Sequence, residues 1–153
     1  MTAKYKSPLA NTRNLWVGVA GPNAQPFPGE HSGKWLIFVS LEHLEDVWQK
    51  VWQATLDGKL GPYSKCGTAK NVSGSGSGNS RVICVYTYDH RDQADVERVR
   101  QGLREIGVQR SIPYLSDREA HDGVYAKPRK AGRARSGQAR ERSNAWPFSL
   151  EVR

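Results

Sequence analysis

The sequence predicts one α+β domain, a mostly antiparallel sheet with helices packed on one face. Three observations predict it. Two segments place their apolar residues at helical steps. Four others are short runs of β-forming residues. Their order is strand–helix–strand–strand–helix–strand, with no internal repeat. At 153 residues the chain is about one domain's worth. Its hydrophobic fraction of 37% and its five Trp and six Tyr are enough to bury a core, which excludes a wholly disordered chain.

Residues 1–32 are rich in Pro, Gly and Asn without a sustained period, and are expected to form an irregular arm carrying Trp16 and broken at Pro22, Pro26 and Pro28. The α+β domain is expected over 33–126. Its first strand, Lys34 to Ser40, is an apolar run bounded by Gly and Ser. A helix follows at once. Ser40 is a fair N-cap, and Glu42, Glu45 and Asp46 put negative charge where the dipole favours it. Leu41, Leu44, Trp48 and Val51 form its apolar stripe, and Asp57-Gly58 closes it. A second strand is expected over Tyr63 to Ala69 and a third over Arg81 to Asp89, joined by the flexible Gly/Ser-rich stretch 71–80. That stretch lacks the Lys-Ser/Thr of a phosphate-cradling loop, and a strand follows it rather than a helix. A second helix, about Gln93 to Ile106, buries Val96, Val99, Leu103 and Ile106, with Gly102 inside it costing roughly 1 kcal/mol against Ala. Gly107 stops it, and a last strand runs from Ser111 to Leu115.

The net charge of +8 is unevenly spread. In residues 127–143, Lys127, Arg129, Lys130, Arg133, Arg135, Arg140 and Arg142 face the single acid Glu141, so this stretch holds +6. With no large apolar residue it cannot offset its ordering entropy by burial, and it is expected to be a mobile basic segment. Its seven cations suit RNA or an acidic protein through counterion release, or simply keep the chain soluble. Residues 144–153 contain Trp146-Pro147-Phe148, apolar enough to dock back on the domain.

Several chemistries lack their signatures. No apolar run reaches the roughly 20 residues that a bilayer requires, so no membrane partner is expected. Cys66 and Cys84, without Cys-x-x-Cys spacing, suggest buried thiols in a reducing cytoplasm. The four histidines, His31, His43, His90 and His121, never stand at i, i+4, and neither a metal nor a cofactor is expected. There is no Gly-x-Ser-x-Gly elbow. What remains is a set of cations and aromatics on strands. Period two puts Lys34 and Trp35 on opposite faces. Lys65 sits mid-strand, and Arg81, Tyr86 and Arg118 follow at strand or element-end positions. Such cations either converge on one anion or snorkel separately to solvent.

Two resemblances bear on this choice. Gly33-Lys34-Trp35-Leu36-Ile37-Phe38-Val39, the Trp helix, Gly58-Lys59-Leu60-Gly61 with Lys65, Val82 to Asp89, and Ile112-Pro113-Tyr114 with Asp117 resemble the basophilic-leukaemia-expressed protein family over about residues 33–125. That resemblance implies a fold like the cap-binding initiation factor 4E, a curved antiparallel sheet backed by helices. More weakly, the layout looks like the bacterial phosphothreonine lyases, which remove phosphate by β-elimination. The resemblance implies Lys65 as the proton-abstracting base, with Lys34 and Tyr86 beside it and Arg118 holding phosphate. Arg81 is a further candidate cation. Leu36 stands where those enzymes carry the histidine that protonates the departing phosphate, and leucine donates no proton.

Three functions follow as expectations. The first is a phosphate-bearing ligand, such as a phosphopeptide, bound or cleaved at Lys34, Lys65, Tyr86 and Arg118. The second is nucleotide or RNA binding through stacking on Trp35 and through Arg129, Lys130, Arg133 and Arg135. The third is a non-catalytic interaction protein that recruits an acidic partner through 127–143. The first requires Lys34 and Lys65 to lie on neighbouring strands with their side chains on one face, away from the helices.

Overall fold

In chain order the elements are β1 (Trp16–Ala20), β2 (Gly33–Ser40), α1 (Leu41–Leu56), β3 (Tyr63–Gly67), β4 (Ser80–Thr87), α2 (Gln93–Glu105) and β5 (Tyr114–Ser116). They come from a computed structural model that describes residues 4–22, 24, 30–72 and 78–118. The middle of the Gly/Ser-rich connection, His121, the basic segment 127–143 and the apolar end 144–153 lie outside the described residues.

The five strands form one sheet in the order β1-β3-β4-β2-β5, each pair antiparallel. β4, as long as β2 at eight residues, lies at its centre and is buried from Arg81 to Thr87. Alternation divides each strand between two faces. Val17, Val19, Ile37, Val39, Cys66, Ile83 and Val85 meet Leu44, Trp48 and Val51 of α1 and Val99 and Leu103 of α2 in the main core. Trp16, Leu36, Tyr63, Val82, Cys84, Tyr86 and Leu115 form a second buried cluster on the opposite face. Both helices therefore cover one face, and apolar burial stabilises the other as well.

The elements depart from expectation where tertiary partners outweigh local pattern. Residues 16–20, expected within an irregular arm, form β1 and pair with β3 from Trp16↔Gly67 to Ala20↔Tyr63. Trp16, Val17 and Val19 are only three β-formers, too few for a clear period alone, yet β3 offers them a ladder. β3 ends at Gly67 rather than at residue 69, because Asn71 N–H turns back to the Thr68 carbonyl. β5 covers only 114–116, since Pro113 cannot donate to a ladder; its carbonyl accepts from Leu36 N–H instead. Ser40 is the residue before α1 as expected, but its hydroxyl caps nothing, and Leu41 N–H goes to the Asn79 carbonyl. Asp92 caps α2 by accepting from Asp95 N–H at 3.2 Å. Beyond α1, Gly58 takes φ +78°, the left-handed conformation that glycine adopts cheaply. Gly102 is a matter of space: a Cβ there would lie 2.7 Å from the Lys59 carbonyl oxygen.

Candidate functional site

Lys34 and Lys65 share the sheet face away from the helices, as the alternation requires. They are not on neighbouring strands. β4 runs between them, pairing Lys34 with Tyr86 and Lys65 with Cys84. Both side chains reach over β4 to one ring. Lys34 Nζ lies 5.3 Å and Lys65 Nζ 5.7 Å from the Tyr86 ring centroid. Lys65 Nζ also sits 4.0 Å from the centroid of the Trp16 ring. The two lysines are 1% and 0% exposed, so their charge is held in a desolvated place where aromatic faces replace part of the lost water.

The two ammonium groups differ in their surroundings. Lys34 donates to Asp117 Oδ1 at 2.8 Å, and Asp117 is itself held by the Ser32 hydroxyl and by its own N–H to the Ser32 carbonyl. For Lys65, burial lowers the pKa to about 7; the Lys34 charge pushes the same way, while Cys84 and Asp117 oppose it. Burial also pushes the Tyr86 phenol well above its ordinary value, so it stays protonated and can donate. The Trp16 indole N–H is buried with no acceptor among the described residues. The cluster thus offers an ammonium in steady contact with a carboxylate, a second amine that titrates near neutrality, and a protonated phenol.

Other expected site residues are placed elsewhere. Arg81 lies on the helix face of β4, and its guanidinium donates to the carbonyls of Thr68, Ala69, Gly78 and Ser80, pinning the turns at both ends of the β3–β4 connection. Those bonds occupy it as a strut, against the expectation of phosphate contact. Arg118 is exposed, one residue past Asp117. Trp35 is on the helix face; its Nε1 donates to Val96 O at 3.1 Å, Tyr114 packs edge-on at 4.9 Å and Arg100 stands over its ring at 5.7 Å. A ring so filled is a wedge between β2 and α2, not an open stacking platform. Arg129, Lys130, Arg133 and Arg135 lie outside the described residues. Among the described residues no three His, Cys, Asp or Glu side chains group as metal ligands, and no helix is long and apolar enough to cross a membrane.

Sequence reasoning missed Trp16 and Asp117 as members of the site. The short β-forming run Trp16-Val17-Gly18-Val19 was the signal for the first. The Lys34–Asp117 pairing carried no local signal, since β5 brings the carboxylate across 83 residues.

The family described as basophilic leukemia-expressed protein Bles03 matches residues 29–118, which include Lys34, Lys65, Tyr86 and Asp117. Among solved structures, C. elegans eIF4E-3 in complex with the 4E-binding protein Mextli is similar, with a TM-score of 0.50 at 12% identity, over 65% of this chain and 63% of that one. Ascaris suum eIF4E-3 with m2,2,7G cap aligns with a TM-score of 0.43 at 15% identity, over 61% and 57%. This chain therefore spans less than two thirds of either, and at such identities the similarity to the C. elegans protein concerns the fold.

Proposed function

Since this chain belongs to the basophilic leukemia-expressed protein Bles03 family and has an eIF4E-like fold, we propose that it is a ligand-binding domain whose ligand, a nucleotide, places its phosphates against Lys34 and Lys65. The observation that supports this is the convergence of both lysines on the Tyr86 ring, with Trp16 beneath one of them. A phosphate there meets two ammonium groups and a phenol donor in a medium that strengthens each contact. Trp16 and Tyr86 are buried with the lysine amines against their rings, so the phosphates carry the contact. Binding needs Lys65 charged, so affinity rises as pH falls through about 7.

The burial of Lys65 bears on a second reading, elimination from phosphothreonine: burial lowers its pKa to about 7, which suits the amine to abstract a Cα proton. Leu36, which packs in the same buried cluster, supplies no proton to the leaving phosphate, and this weighs toward binding.

Tryptophan fluorescence of the full chain, titrated with GTP, inorganic phosphate and a phosphothreonine peptide, tests both readings. Binding predicts a saturable change with GTP that is absent in Lys65→Met and weaker with phosphate. No GTP-dependent change at low salt contradicts it. Release of phosphate from the peptide, with a dehydrobutyrine product, replaces binding by elimination.

A further inference from the structure

The N-terminal segment lies strapped along α1, and one carboxylate holds it. Glu45 accepts from the Tyr5 hydroxyl at 2.8 Å, from the Ser7 hydroxyl and from the Leu9 N–H at 3.2 Å. The Trp48 indole donates to the Lys6 carbonyl at 3.1 Å, the Tyr5 ring stands edge-on to Trp52 at 5.4 Å, and Ala69 N–H donates to the Pro8 carbonyl at 3.1 Å. Tyr5 and Leu9 pack against the main core, so the strap covers the outer side of the Trp48 and Trp52 pair. Its hold is electrostatic at one point: three donors share one carboxylate, and Ser7 is the middle one.

We propose that Ser7 is a phosphorylation site that releases this strap. Pro8 keeps Ser7 extended, the form in which a chain enters a kinase cleft, and makes it a target for proline-directed kinases. Ser7 is half-buried and outside the helices and strands, so local opening of this segment exposes its hydroxyl. The γ-phosphoryl of a nucleoside triphosphate passes to Ser7 Oγ: the bond from phosphorus to the diphosphate breaks, the Oγ–P bond forms, and the hydroxyl proton leaves to solvent. The product cannot return to its place. It carries nearly two negative charges, has lost the hydrogen that Glu45 accepted, and faces that carboxylate directly. Release uncovers Trp52 and the indole N–H of Trp48, an amphipathic face on α1 that the chain's own segment otherwise fills.

The test uses the full chain, unmodified, treated with a proline-directed kinase and ATP, and made with phosphoserine encoded at position 7. Kinase treatment is expected to add one phosphate at Ser7, and none in Ser7→Ala. Hydrogen exchange of the Trp48 indole and of Leu9 N–H is expected to speed up by about tenfold or more in the phosphoserine chain, the size expected when charge-assisted hydrogen bonds are lost. In Glu45→Lys the same phosphoserine meets an ammonium, and the Trp48 indole, which donates to the Lys6 carbonyl and not to Glu45, is expected to stay protected. No incorporation at Ser7, unchanged exchange with phosphoserine present, or equal release in the Glu45→Lys chain overturns the proposal.

Discussion

Lys65 couples the site to pH, and the sign is set by its environment. Its pKa in the folded chain is about 7, below the 10.5 of an exposed lysine. Between these values the unfolded chain binds the extra proton, so stability rises with pH, by at most about 1.4 kcal/mol per unit. Denaturant unfolding at a series of pH values should show about 2 kcal/mol gained from pH 7 to 9, and Lys65→Met should remove that gain. Above pH 9 the buried thiols, raised by burial, reverse the trend, because they ionise only when unfolded. Asp117 acts on the other lysine. Asp117→Asn removes the charge that faces Lys34 at 2.8 Å, and chemical denaturation should report a loss of about 2–3 kcal/mol, less than the roughly 3–5 kcal/mol of a fully buried pair because Asp117 is partly exposed. Period two separated Lys34 from Trp35, but that Lys65 and Tyr86 share the face of Lys34 depends on the register between strands, which no single strand's pattern carries. The roles of Arg81 and Trp35 were not legible either, because a cation or a ring on a strand reads the same whether it meets a ligand or a neighbouring backbone carbonyl.

At the level of elements, local pattern located both helices and the two long strands, and it failed where the partner is distant. β1 has three β-formers in five residues and exists because β3 pairs with it; β5 is three residues long and is set by Gly33 to Trp35. Gly102 separates local propensity from packing. Propensity alone makes Gly102→Ala stabilising by about 1 kcal/mol. The added Cβ would meet the Lys59 carbonyl oxygen at 2.7 Å and Leu60 Cδ2 at 2.9 Å, a clash between α2 and the turn after α1. Overpacking of this kind costs about 1–3 kcal/mol, so thermal unfolding should show the variant net destabilised. An increase in Tm would mean that the two elements move apart freely. Arg81 ties elements in the same way. Arg81→Met leaves the carbonyls of Thr68, Ala69, Gly78 and Ser80 without this donor, and backbone amide exchange in residues 68–72 should quicken while the body of β4 stays protected.

For the molecule as a whole, the sheet has unlike faces. One packs two helices through apolar contacts, and the other buries two lysines, two tyrosines and a tryptophan in and beside a second apolar cluster. An all-apolar second face would fold at lower electrostatic cost, and the cations held there are the feature on which the proposed site rests. The fold class followed from element order and from the family resemblance, whereas the convergence of Lys34 and Lys65 required the strand order, which places β4 between them. The most direct test follows Lys65 itself. The full chain, labelled at lysine, is titrated with pH by NMR, with and without saturating GTP. A phosphate against Lys65 stabilises its charged form, so the account predicts an amine that titrates near pH 7 in the free chain and moves up by about one unit or more with GTP bound. A Lys65 resonance that titrates at the same pH in both samples would contradict it.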